Sequence, residues 1–169
     1  NMRLQELINE ILDLSKIESG MMEFNYAPVN LYKLCDDVKN TYRFRCQSGV
    51  DLIFEQSDRS LYISTDRNRL FQIFSNLIGN ATKFTQKGHI SFGYKKVDNQ
   101  IIFHVTDTGT GIPAEKLPKI FDRFMMANDN VAGTGLGLSI TKNVIQMHHG
   151  VIDVESTQGE GTTFSMRIP

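Results

Sequence analysis

Three glycine clusters in the C-terminal half constrain this chain more than any other feature. Asp107-Thr-Gly109-Thr-Gly111 arrives off a strand-like run, Gly133-Thr-Gly135-Leu-Gly137 opens a helix-like run, and Gly159-Glu-Gly161 separates two alternating runs. Glycine tolerates positive φ and close backbone approach, so each cluster marks a hard turn or a backbone lying against something. The intervening elements must be short. With 169 residues, 40% of them apolar, the chain is long enough for one core, and one main domain is the default.

Hydrophobic periodicity supplies the elements. Leu4, Leu7, Ile11 and Leu14 recur at steps of three and four, and Ile8, Leu12 and Ile17 widen the stripe. That spacing predicts a helix over 2–18, stopped by Ser19-Gly20. A stripe this wide needs a partner: a neighbouring helix, a second copy of itself, or the main domain. Extended chain is expected over 21–30, then a helix over 31–47 with Leu31, Leu34, Cys35, Val38, Tyr42 and Cys46 near one face. Strands follow over 50–56 and 61–64. Thr65-Asp66 is placed to cap a helix over 67–85, whose stripe is Leu70, Ile73, Phe74, Leu77 and Ile78. Strands over 89–97 and 101–106 meet at Asp98-Asn99 as a hairpin. Residues 107–137 read as loop with a short helix over 115–124. A helix over 136–150 and a second hairpin, 151–155 with 162–168, close the chain. This order predicts an α+β fold, a two-layer sandwich in which a mixed, largely antiparallel sheet is covered on one face by helices.

Composition excludes several functions. Lys and Arg number 18 against 19 Asp and Glu, which gives no electrostatic basis for binding nucleic acid or an anionic membrane. A bound polyanion is therefore expected to be small and held by local geometry. Cys35 and Cys46 lie in neither a Cys-x-x-Cys nor a zinc-ligand spacing, so buried or idle thiols in a reducing compartment are expected. No apolar run approaches the ~20 residues of a membrane span. An amphipathic helix is already under way at residue 1, so the chain is expected to be a piece of a longer protein.

Four features carry chemistry. Asn76, Asn80 and Lys83 are spaced by four and three on the predicted helix, so two amides and an ammonium project from one side. Amide oxygens one turn apart suit a hard cation beside phosphate oxygens, and Lys83 suits the phosphate charge. Asp107, with Gly109 and Gly111, places a carboxylate where it can accept from an exocyclic amine such as that of adenine, with the glycines admitting a flat ligand. Gly133 to Gly137 offers backbone N–H groups at a helix start, an anion cradle that fits neither the dinucleotide nor the Walker pattern. Gly159-Glu-Gly161-Thr162-Thr163-Phe164 is a tight turn into a strand. Taken singly, these fit equally a solvated polar face, a glycine turn with an Asx cap, a helix start and a hairpin. Together, in this order, they do not.

The series resembles the nucleotide-binding domain of sensor histidine kinases, within the superfamily shared with DNA gyrase, heat-shock chaperones and mismatch-repair ATPases. The asparagine box matches at Asn76, Asn80 and Lys83; the glycine boxes match at Asp107 to Gly111, Gly133 to Gly137 and Gly159 to Phe164. The phenylalanine box matches at Ile120-Phe121-Asp-Arg-Phe124. Residues 1–20 are similar to the end of the second helix of the family's dimerisation bundle, and 21–169 to the catalytic domain.

The resemblance implies a Bergerat-type fold that binds ATP with Mg²⁺. Asp107 binds adenine, Asn80 ligates the metal, Asn76 stands beside it and Lys83 approaches the phosphates. Gly109, Gly111, Ile112, Phe124, Gly133, Thr134, Gly135, Leu136, Gly137, Leu138 and Thr162 complete the expected pocket. Residues 125–134 are expected to form a mobile lid, anchored by Phe121 and Phe124. Where related ATPases use glutamate to activate water, this chain has Asn76, whose amide takes no proton, so phosphoryl transfer to a histidine is implied rather than hydrolysis. The implied partners are the protein's own dimerisation bundle, a second copy in a homodimer, and the receiver domain of a response regulator, in the cytoplasm, with the parent anchored in the inner membrane. None of His89, His104, His148 and His149 has the setting of a phospho-acceptor, and His148-His149 reads as a solvated pair at a helix end. The rival function is a nucleotide-binding scaffold without turnover.

Overall fold

A helix face made of Leu70, Ile73, Phe74, Leu77 and Ile78 must be covered, and a sheet covers it. The computed structural model describes residues 2–55, 57–126 and 133–169. Its helices are α1 (Met2–Glu18), α2 (Leu31–Tyr42), α3 (Arg67–Phe84) and α4 (Gly137–Met147). The strands are β1 (Ala27–Asn30), β2 (Val50–Phe54), β3 (Tyr62–Thr65), β4 (Gly88–Val97), β5 (Gln100–Asp107), β6 (Val151–Thr157) and β7 (Gly161–Ile168). The main sheet has the order β2-β4-β5-β7-β6, with β2 parallel to β4 and the other neighbours antiparallel. It is the mixed, largely antiparallel sheet that the element order predicts. β1 and β3 form a separate antiparallel pair.

Alternation along the central strands sets the two layers. On β5, Ile101, Phe103, Val105 and Asp107 are buried while the residues between them are half-exposed or exposed. Phe74 of α3 meets Phe92 at 5.9 Å and Phe103, edge-on, at 5.6 Å, and all three rings are fully buried. Each such side chain contributes about 1.5–3 kcal/mol through burial, so this trio ties α3 firmly to the sheet.

Local chemistry ends the elements as expected at several points. Asp66 caps α3 by accepting from the Arg69 N–H at 3.1 Å. Its second oxygen accepts from the Asn25 N–H at 2.9 Å, fastening the segment after α1 to the start of α3. Gly20, at φ 71°, closes α1: its N–H donates to Ile17 and that of Met21 to Lys16. The β4–β5 hairpin turns at Asp98 and Asn99.

Other elements differ from expectation. Residues 115–124 form only the 3₁₀ turn Leu117–Lys119, with Pro118 in its first turn, and do not continue as a helix. The helix beginning at Leu31 stops at Tyr42 and tightens into a 3₁₀ turn at Arg43–Arg45. His148 is buried, at 7% exposure, and not solvated. Its ring meets Phe24 edge-on at 4.6 Å, and burial holds its pKa below the usual value against the opposing pull of Asp66. His149 takes the left-handed turn, at φ 61°.

The stripe on α1 divides. Leu14 is buried, and Leu7 and Ile17 pack against the core, while Leu4, Ile8, Ile11 and Leu12 stay exposed. One face docks on the domain and the other has no partner among the described residues.

Candidate functional site

The period of two on β5 puts Asp107 on the same face as Ile101, Phe103 and Val105, so its carboxyl points to the helical layer. Thr162 of β7 pairs with it directly in register, also on the buried face. Asp107 is 9% exposed, and its Oδ1 accepts from the Gly109 N–H at 2.9 Å. Burial pushes the carboxyl pKa up, and the backbone N–H groups of Gly109 and Thr162 pull it part of the way back. Thr162 and Ser156 share a hydroxyl hydrogen bond of 2.8 Å, and Ser156 accepts from the Ile112 N–H at 2.8 Å. A slot of about 50 Å³ opens over this floor, lined by Asp107, Gly111, Ile112, Leu138, Thr162 and Phe164 among others.

A larger cavity of about 370 Å³ continues along α3, and Asn80, Phe84, Met125 and Leu138 line both spaces. Asn76, Asn80 and Lys83 all face it, as their spacing on one helix side requires. Gly133, Thr134, Gly135 and Gly137 form the opposite rim. A Cβ at residue 133 would stand 3.8 Å from Lys83 Nζ, so the ammonium lies over the glycine loop. Asn76 does more than line the wall. Its Nδ2 donates to the Gly137 carbonyl at 3.3 Å and to Thr141 Oγ1 at 3.0 Å, which fixes the start of α4 against α3.

Two glycines serve the protein itself. A Cβ at Gly109 would lie 2.5 Å from the Phe84 carbonyl oxygen, so close packing of the loop on α3 requires glycine there. Gly135 sits at φ 76°, and a Cβ would lie 2.6 Å from Phe124 Cα. Its carbonyl accepts from the Phe124 N–H at 2.8 Å, closing the base of the loop that separates them.

Three expected pocket residues do not reach either space. Gly109 orients Asp107 instead of lining the slot. Leu136 is fully buried in the core. Phe124 is 65% exposed at φ 61°, so the loop is anchored by its backbone and not its ring. Phe121 packs against Phe164, with Lys142 over its ring at 5.3 Å. Of the lid expected over 125–134, residues 127–132 lie outside the described residues, and Met125, Met126, Gly133 and Thr134 line the larger cavity.

Sequence reasoning missed the cavity's other walls. Tyr42 and Arg45 enter from the end of α2, Arg45 stacked on the Tyr42 ring at 4.8 Å. Glu6 and Glu10 enter from α1. Nothing in their local spacing marks them, because the cavity gathers them from distant segments.

The sequence and the fold both have counterparts among known proteins. A family described as histidine kinase-, DNA gyrase B-, and HSP90-like ATPase matches residues 65–169. The circadian input-output histidine kinase CikA of Synechococcus elongatus is 37% identical over 98% of this chain, which spans 23% of that protein. Full-length ShkA in complex with AMPPNP superposes with a TM-score of 0.89 at 29% identity, over 98% of this chain and 35% of that one. The nucleotide-free catalytic domain of histidine kinase ThkA superposes with a TM-score of 0.73 at 32% identity, over 88% of this chain and 96% of that one. The chain belongs to the histidine kinase-, DNA gyrase B- and HSP90-like ATPase family.

Proposed function

We propose that residues 21–169 are the ATP-binding catalytic domain of a sensor histidine kinase, preceded at 1–20 by the end of the second helix of its dimerisation and histidine-phosphotransfer bundle. One observation carries this reading. A buried carboxylate, oriented by Gly109, faces an apolar slot that leads directly to an amide and ammonium wall. That arrangement suits a molecule with a flat, amine-bearing end and a polyanionic end.

Asp107 would accept from the adenine amine, beside Thr162. Lys83 and the amides of Gly133 to Gly137 would meet the phosphates, at the start of α4 where the helix dipole favours anions. Among the described residues there is no cluster of three or more His, Cys, Asp or Glu that could hold a metal. Mg²⁺ commonly takes one or two protein oxygens with phosphate oxygens and waters, and Asn80, which lines both spaces, fits that role. The metal supplies charge neutralisation on the phosphates. Asn76 keeps α4 and the glycine loop in place and, where related ATPases use a glutamate, offers no proton acceptor, which favours transfer of the γ-phosphate to a histidine nitrogen over hydrolysis.

The exposed face of Leu4, Ile8, Ile11 and Leu12 supports a helical bundle with a second copy. The partners proposed are that bundle and the receiver domain of a response regulator, in the cytoplasm, with the longer protein anchored in the inner membrane. Among the described residues no helix is long and apolar enough to cross a membrane.

Calorimetric titration with ADP and a non-hydrolysable ATP analogue, with and without Mg²⁺, tests the reading. Saturable binding that Mg²⁺ strengthens is the expected result. No binding by a folded chain overturns it and favours a scaffold without turnover. Acid-labile phosphohistidine is not expected on this chain incubated alone with ATP, since among the described residues no histidine lines either space.

A further inference from the structure

The nucleotide reading leaves Glu6, Glu10 and Arg45 of the cavity without a role, and of these Glu10 is the one bonded to the glycine loop. The positions of α1 that the domain covers are Leu7, Glu10, Asp13, Leu14 and Ile17, a stripe at steps of three and four. Glu10 therefore sits in the middle of a docking face, where an apolar residue would be cheaper to cover. Asp13, on the same face, is held by Arg69 at 3.3 Å and by Gln72 at 2.8 Å. Glu10 is held differently. Its carboxylate accepts from the hydroxyl of Thr134, in the glycine loop. That hydroxyl accepts in turn from the Leu136 N–H at 3.3 Å, at the start of α4. The carboxylate is thus linked through one hydroxyl to a helix N-terminus, and it shares its cavity with Lys83. Burial pushes the Glu10 carboxyl pKa up, the Thr134 hydroxyl and Lys83 pull it part of the way back, and the negative charges of Glu6 and Asp13 add to the rise.

Thr134, the start of α4 and Lys83 are the groups assigned above to the phosphates of a nucleotide. We propose that Glu10 is a resident anion of the phosphate subsite, its carboxylate holding in the nucleotide-free chain the place and partners that a phosphate takes on binding. The inference rests on the nucleotide reading and adds a competition to it. Two anions cannot share Thr134 and Lys83 without like-charge repulsion in a half-buried space. A triphosphate entering the cavity therefore lifts the inner face of α1 from the glycine loop, and whatever presses α1 inward weakens triphosphate binding by the same factor. Adenosine, which carries no phosphate, does not compete. Glu10 acts here as a selectivity residue for the charged end of the nucleotide.

Titrating the whole chain with adenosine and with a non-hydrolysable ATP analogue tests this. Glu10→Gln keeps an acceptor oxygen for Thr134 and removes the charge, and Glu10→Ala removes both. Both variants are expected to bind the triphosphate about tenfold more tightly than the wild type, with adenosine affinity unchanged. In the wild type the triphosphate analogue should speed amide hydrogen exchange over residues 7–17, and adenosine should not. Unchanged triphosphate affinity in both variants, with adenosine still bound, overturns the role of Glu10 and leaves the nucleotide site standing. Failure of the folded wild type and both variants to bind either ligand overturns both.

Discussion

The floor of the site and its outer wall are built by different means. Asp107 and Thr162 face each other because two neighbouring strands pair in register, and shifting either would turn its side chains away from the core. The wall formed by α1 rests on the core through Leu7, Leu14 and Ile17 and is otherwise moored by polar side chains: Asp13 to Arg69 and Gln72, Glu10 to Thr134, Glu18 to Arg123. Register is as stable as the fold, whereas polar moorings exchange with solvent and ligand at small cost. The end proposed for adenine is therefore fixed before a ligand arrives, and the end proposed for the phosphates is adjustable.

The largest expected effect strikes the frame of the floor. Phe74→Ala removes the ring between α3 and the sheet and should cost about 3–5 kcal/mol in urea unfolding, with binding lost at both ends. Equal loss from a mooring variant would erase the distinction between the two regions.

Asp107→Asn tests the floor without breaking it. Nucleotide affinity should fall roughly 10- to 100-fold, because the amide presents the wrong donor and acceptor set to an amine. The empty fold should not weaken. The folded carboxyl has a raised pKa, so its contribution to stability is fully present below the unfolded value and is lost as pH rises through the folded one. The variant should remove that dependence and melt higher than the wild type at neutral pH. A lower melting temperature there would contradict the burial argument.

The moorings should give smaller numbers. Arg69→Ala strips a mostly buried partner from Asp13 and is expected to cost about 1–2 kcal/mol in the same urea series. Arg123→Ala breaks a pair whose side chains are both about half exposed, and a double-mutant cycle with Glu18→Ala should give about 0.2–1 kcal/mol, falling with salt. A coupling as large as the Phe74 effect would mean that the wall is part of the frame.

Much of the floor was legible in the chain. The glycines that follow it marked Asp107, although the strand runs one residue beyond its expected end to include it; period 3.6 brought Asn76, Asn80 and Lys83 to one side, and Asp66 and Gly20 marked their helix ends by local hydrogen-bond chemistry. The wall was not legible. Glu6 and Glu10 look like polar positions beside an apolar stripe, and only the docked position of α1 turns them toward the cavity. The stretch 115–124 shows the same limit in reverse: its composition favoured a helix and only a 3₁₀ turn forms. The purpose of Gly109 also escaped, since the obstacle to a side chain is the Phe84 carbonyl across the fold.

The hydrogen bond from the Phe124 N–H to the Gly135 carbonyl has one more consequence. Phe124 and Gly135 are tied backbone to backbone, so chain inserted between them would not change the distance its two ends have to span. Closing a longer loop costs only conformational entropy, about 0.6 kcal/mol for each doubling. Insertions there should leave the pairing of β5 with β7 untouched, which makes this position the natural one at which descendants of the chain can diverge in size.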